Sequence, residues 1–431
     1  MPRIAPFRGL RYAALPAPDL STLFAPPYDV IGPEDRRRLA AHPRNVVHLE
    51  LPEGGEAAPA AARRCLDTWR RDGTLASDPI PAFYVAEQEF TGRDGAARRR
   101  RGFFARLTLE PYESGVVLPH ERTLDGPRRE RTRLLEATRA GLSPVFMLHP
   151  DPGGAVTALL ARHADAAPVA WATDAKGIRA RLYRIDAPAS VAAIAESLAP
   201  AWALIADGHH RYESALAYQA DRRTAGRDDA GHLLVFLASL ADPGLEVLPI
   251  HRVAHSLASF DPRRLRAALG AWFDLEPIAD RARLGAVVAA EAGRSGVFGL
   301  TFAGESGAWV ARWRDGAGLE TPAMAELPAA LRRLDVVLLH RLVLETALGI
   351  DAARLASQEN LDYLKEAGPV LDLRPGAQMG MLLNPTRLEQ VIEVSRGGLR
   401  LPQKSTNFSP KVPAGLVIDL LDDPPPAAAS P

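Results

Sequence analysis

Asp207-Gly208-His209-His210-Arg211 places a carboxylate, a glycine, two imidazoles and a guanidinium in five consecutive positions. The apolar run Ala203-Leu204-Ile205-Ala206 ahead of it reads as a strand, and Tyr212 to Arg223 after it reads as a helix. A helix N-terminus carries unpaired N–H groups and partial positive charge, which suits phosphate. Gly208 lets a ligand approach the backbone closely. Arg211 can grip two phosphate oxygens at once, and Asp207 can orient a hydroxyl or a divalent cation. The bland alternative is a strand-to-helix turn with exposed histidines. A metal site through His209 and His210 is disfavoured, because adjacent residues rarely both face one ion, and no metal site is assigned.

Three further segments carry candidate chemistry. Pro119-His120-Glu121-Arg122-Thr123 follows the short strand expected at Val116 to Leu118, a usual place for catalytic groups in α/β sheets. Glu121 is a candidate general base, with His120 and Thr123 as phosphate contacts. A surface Glu is the competing reading. The segment from Pro402 to Lys411 packs Lys404, Ser405, Thr406 and Lys411 into a Pro-bounded loop, a set of point charges and short donors suited to phosphate. It lacks the preceding Gly-rich stretch of a Walker A loop, and an ordinary solvated loop competes with this reading. Pro26-Pro27-Tyr28-Asp29 is stiffened by two prolines, so Tyr28 and Asp29 suit a substrate-pocket wall or a structural N-terminal arm.

The elements that must hold these residues read as mixed α/β. Helices are expected from Pro33, over 56–71, 128–140, 212–223, 262–273 and 334–348, and strands over 82–90, 102–109, 144–148, 203–206, 232–240, 296–302, 308–313, 379–383 and 416–420. Asp261 is placed to cap the helix opened by Pro262. Ala25 to Ile31 is expected to be non-helical. Arg98 to Arg101 reads as a solvated strand end, with a nucleic-acid contact as the sharper alternative. Regions are expected at 1–95, 96–225 and 226–420, with a disordered tail at 421–431.

The whole chain has 431 residues, 47% hydrophobic and 24% charged, with Lys plus Arg and Asp plus Glu each at 52. Zero net charge argues against a broad nucleic-acid surface. One cysteine, Cys65, excludes an internal disulfide and a Cys-rich zinc site. No apolar stretch spans a membrane and no signal peptide is visible, so a cytoplasmic protein is expected. The sequence is silent on oligomeric state.

Six ordered motifs resemble the DUF1015 family over about residues 3 to 420: Ala25 to Ile31, Pro119 to Thr123, Ser143 to Phe146, Ala206 to Glu213, Leu248 to Arg252, and Pro402 to Thr406. Gly141 and Asn407 depart from the family's usual Asn and Tyr. A Pro-His-Glu segment followed by Asp-Gly-His-His-Arg also resembles the ParB/sulfiredoxin superfamily, its free-serine kinases above all, over about residues 100 to 225. That resemblance implies a ParB/sulfiredoxin-like core at 96–225 within a larger protein. It also implies Glu121 as catalytic base and Asp207 to Arg211 at nucleotide phosphate. The implied function is phosphoryl transfer to or from a small hydroxyl metabolite, free serine or O-phosphoserine first, with a nucleoside phosphate and Mg2+. The other two readings are a ParB-like nucleotide-binding regulatory or DNA-associated protein and a metabolite-binding protein without turnover.

Overall fold

The computed structural model describes residues 2–13, 19–123, 125–199 and 201–422. Their contacts group into two units. One comprises Met1–Pro119, Thr123–Glu246 and Pro410–Pro431, the other His120–Arg122 and Val247–Ser409. Neither is one continuous stretch, so the units run across the chain-order regions drawn at 95 and 225. The expected tail lies outside the described residues from 423 onward.

The first unit is built on a nine-stranded mixed sheet: β1 (Ile4–Ala5), β2 (Phe83–Thr91), β3 (Ala97–Thr108), β4 (Val117–Leu118), β5 (Val145–His149), β6 (Ala170–Thr173), β7 (Arg179–Ile185), β8 (Ala203–Asp207) and β9 (His232–Ser239). The order is β4-β8-β5-β9-β3-β2-β7-β6, with β1 on β3. Pairs β8–β4 and β5–β9 are parallel and the others antiparallel. Strand alternation sends Phe103, Ala105, Val145, Met147, Ile205 and Val235 into one core. There they meet α1 (Ala155–His163), α2 (Pro188–Leu198) and α3 (His209–Thr224) through Leu160, Ile194, Tyr212 and Ala215. The alternate positions bring together Arg100, Phe104, Phe146 and Phe236. Gly102 is required there, because a Cβ would meet the Phe236 ring at 2.4 Å and the Leu237 carbonyl at 2.5 Å.

The second unit has a six-stranded antiparallel sheet: β10 (His251–His255), β11 (Phe273–Ile278), β12 (Val297–Phe302), β13 (Ala308–Trp313), β14 (Leu361–Leu364) and β15 (Ala377–Leu383), in the order β11-β13-β12-β15-β10-β14. Asp261 caps the helix Pro262–Leu269 by accepting from the Arg263 and Arg264 amides. No helix among the described residues is long and apolar enough to cross a membrane.

The mixed α/β class stands, and several local expectations are corrected. Arg98 to Arg101 belong to the first residues of β3 itself; Arg99 is exposed as expected of a solvated strand end, but Arg100 has no exposed surface. The strand begins early because the four arginines alternate between faces, and Arg100 falls on the aromatic one. Tyr28–Val30 form a 3-10 turn within the segment expected to be non-helical, since Pro26 and Pro27 constrain the residues before them and leave those after them free. The helix from 262 ends at Leu269, with Gly270 at its C-cap, and Phe273 opens a strand. The 334–348 helix is α only over Asp335–Leu338 and widens to a π-helix over Leu339–Ala347. At 416–420 the expected strand is reduced to Asp419–Leu420, paired with Ala140–Gly141, and a single bridge from Ile418 to Leu10.

Candidate functional site

The turn at Asp207 is assembled by β8, a bulge and α3. The β8–β5 register shifts between Ile205 and Asp207, so Asp207 stands opposite Phe146. Gly208 follows with φ +99 as the N-cap of α3 and has no side chain with which to cap it. A Cβ on Gly208 would lie 2.8 Å from Arg211 Nε, so the missing side chain lets the guanidinium lie against the turn.

Asp207 is held at both oxygens. Arg211 Nη2 donates to Oδ2 at 2.6 Å, and the Lys411 ammonium donates to Oδ1. Burial opposes ionisation, but the charges of Lys411, Arg211 and His209 outweigh it and hold the carboxyl well below the usual range. Arg211 Nη1 donates to the Pro144 carbonyl and, at 3.3 Å, to Ser143 Oγ. Its two terminal nitrogens are thus committed to the protein rather than presented to a phosphate in bidentate fashion. His209 is buried and His210 half-buried.

A second shell of charge stands behind Arg211. Ser143 Oγ donates to Glu50 Oε1 at 2.7 Å, and Arg131 Nη1 donates to the Glu50 carbonyl at 2.7 Å. Burial pushes the Glu50 carboxyl up despite the nearby Arg131. The Arg131 guanidinium lies 4.1 Å from the centre of the Tyr28 ring. Burial raises the Tyr28 phenol, while Asp29 beside it is exposed. Thr123 is tied to Glu213, its Oγ1 donating to Oε2 at 2.5 Å.

The other candidates belong to the second unit. His120 is fully buried, its Nε2 hydrogen-bonded to Thr406 Oγ1 at 2.7 Å and its ring against Phe408. Glu121 is bridged to Leu401, whose N–H donates to the His120 carbonyl at 2.8 Å. Arg252, fully buried, donates to the Ile250 carbonyl and to the Lys404 carbonyl at 3.0 Å. Burial lowers Arg252 to about 10 against the opposing pull of Tyr363 and Glu121. Lys404 takes a positive φ of 57, and Ser405 donates to the Pro402 carbonyl at 2.6 Å. Lys404 and Lys411, read together as one loop, thus fall in different units.

The first unit therefore brings Asp207, Gly208, His209, Arg211 and Lys411 together, with Tyr28 joined through Arg131. Reading the sequence missed Glu50, Arg100, Arg131, Ser143 and Arg252 as parts of these clusters. Ser143 and Arg252 lie in motifs already singled out and Arg100 in the arginine run. Glu50 and Arg131 sit in ordinary helical sequence with no local signal. Among the described residues no three His, Cys, Asp or Glu side chains are grouped to hold a metal ion. With both Asp207 oxygens engaged by cations, these residues do not fit a protein-held Mg2+.

The family described as a protein of unknown function, DUF1015, matches residues 4–337. No curated protein matches the chain. Among solved structures, a free serine kinase mutant in complex with ADP is similar at 13% identity and a TM-score of 0.35, over 71% of this chain and 87% of that one. A conserved hypothetical protein from Pyrococcus furiosus is similar at 16% identity and a TM-score of 0.36, over 74% and 96%. SbnI with a C-terminal truncation, from Staphylococcus aureus, is similar at 11% identity and a TM-score of 0.36, over 74% and 90%.

Proposed function

Since the chain belongs to the DUF1015 family, whose description states no function, we propose phosphoryl transfer between a nucleoside phosphate and a small hydroxyl metabolite, free serine or O-phosphoserine first. The observation that carries this reading is Asp207, held as a carboxylate between Arg211 and Lys411 at the N-terminus of α3. Cations and helix N–H groups around one carboxylate are the parts that neutralise a moving phosphoryl group. Asp207 would orient the substrate hydroxyl. The hydroxyl oxygen attacks phosphorus, the bridging P–O bond breaks, and the leaving phosphate keeps the electron pair. Glu121 is the proposed acceptor of the hydroxyl proton, on its His-Glu sequence setting. His120, Thr123, Ser405 and Thr406 are less favoured as ligand contacts, because their polar side-chain atoms have protein partners, whereas Lys404 is kept as a proposed phosphate contact through its ammonium. Serine as substrate comes from the resemblance to free-serine kinases.

The test is turnover by the purified full chain, given L-serine with ATP or ADP, or O-phosphoserine alone, all with Mg2+. Glu121→Gln and Asp207→Asn should each lower the rate by about two orders of magnitude or more. Full turnover in Glu121→Gln would remove Glu121 as base. Nucleotide binding without turnover would replace the enzyme by a binding protein.

A further inference from the structure

Arg100 is the most deeply buried cation in the surroundings of Asp207. It has no exposed surface, and its guanidinium lies 4.5 Å from the centre of the Phe146 ring and 5.5 Å from that of Phe236. Its Nη2 donates to Gln88 Oε1, and Gln88 Nε2 donates to the Lys411 carbonyl at 2.9 Å. The arginine is thus tied through Gln88 to the segment whose ammonium holds Asp207. Its Nε and Nη1 are buried and meet no acceptor, and Arg211 Nε is in the same condition. The charges that reach Arg100 are those of Asp242 and Asp207. Asp242 is occupied by the backbone amides of Arg101 and Gly244. Asp207 is occupied by Arg211 and Lys411.

Packing alone does not account for such a side chain. A buried guanidinium can only donate, and donors left without acceptors carry the full cost of leaving water. An apolar side chain would fill the space against Phe146 and Phe236 without that cost. Three orphaned donors on two arginines near one turn call for a partner that only accepts. Phe146, on which Arg100 rests, is the register partner of Asp207, so the guanidinium lies on the strand beside that turn. Beside it, Asp207 and Lys411 keep 11% and 21% of their side-chain surface exposed.

We propose that Arg100 receives an anionic group, phosphate or carboxylate, of the ligand held at the Asp207 turn. This deepens the phosphoryl-transfer reading and rests on it for the ligand's placement, but anion binding by Arg100 can be measured without turnover.

The experiment is calorimetric titration of the full chain with inorganic phosphate, O-phospho-L-serine and L-serine, for wild type, Arg100→Met and Arg100→Lys. Affinity is measured below the lowest Tm of the three. Arg100→Met should weaken at least one of these anions by about tenfold or more, the scale of a charge-assisted hydrogen bond, with Arg100→Lys weakened less. Its Tm should stay level or rise, because an unpaired buried charge has been replaced by an apolar chain. Loss for L-serine and O-phospho-L-serine with inorganic phosphate unaffected would name the carboxylate as the group, and loss for inorganic phosphate would name the phosphate. The proposal falls if wild type binds none of the three, or if affinity is unchanged in Arg100→Met. A lowered Tm with unchanged affinity would mark Arg100 as purely structural. Absent turnover together with Arg100-dependent binding would sink the enzyme reading and leave this one standing.

Discussion

Asp207 shows how one residue can serve stability and function in the same geometry. Both carboxylate oxygens are taken by cations, and all three side chains are largely buried. Removing the anion would leave Arg211 and Lys411 facing each other without compensation. Asp207→Ala should therefore destabilise the protein by about 3 kcal/mol or more, measured by urea denaturation at neutral pH. The pH dependence follows from the direction of the shift. The folded carboxyl titrates below its unfolded value near 4, so its contribution is complete above that value and fades as pH falls through the folded one. Asp207→Asn should flatten this acid limb of the stability curve. An unchanged limb would mean the two cations do not hold Asp207 in solution.

At the scale of elements, two junctions carry distinct expectations. The β8-to-α3 junction needs Gly208, because φ +99 is a conformation that side chains avoid and the Arg211 guanidinium occupies the space a Cβ would need. Gly208→Ala should cost about 1 kcal/mol or more and weaken phosphate binding in the same titration. The second junction is where Asp335 opens the helix that widens into the π segment. Asp335 Oδ1 accepts the Gly296 N–H at 2.7 Å, and burial pushes its carboxyl up to about 6. The sign is opposite to that of Asp207. Between about pH 4 and 6 the folded state holds a proton that the unfolded chain has released, so stability declines as pH rises through this window and is level above it. Asp335→Asn should be more stable than wild type at pH 7.5 by about 2 kcal/mol, and nearly equal to it at pH 4. Thermal denaturation at the two pH values decides this.

For the whole molecule, the segment from Pro410 matters most, since it returns to the first unit after the second is complete. It brings Lys411 to Asp207 and Asp419 to Arg106, a pair at 2.7 Å with 0% and 2% of the carboxylate and guanidinium exposed. It also adds backbone bridges to Leu10 and Ala25. A chain ending at residue 409 would leave Asp207 and Arg106 buried without these partners. It should lose the near-ultraviolet circular dichroism of the first unit's packed aromatics. Asp419→Ala alone should cost about 3–5 kcal/mol by denaturant titration.

What could be read from the residues alone was local chemistry and local periodicity. The apolar run into Asp207-Gly208 announces a strand meeting a helix, because a buried strand and an amphipathic helix have different periods and a glycine marks the change. The Asp261 cap and the hairpin around Gly92 to Gly95 were legible for the same reason, since each is settled by neighbours a few positions apart. Partnerships across long separations were not legible. Nothing near Lys411 points to Asp207, nothing near Glu50 points to Ser143, and four adjacent arginines do not reveal that Arg100 alone is wholly buried on phenylalanine rings. Those facts depend on register and on the path of the returning chain. A charged side chain is polar in any sequence, and only the packed strands around it determine whether water or an aromatic face receives it.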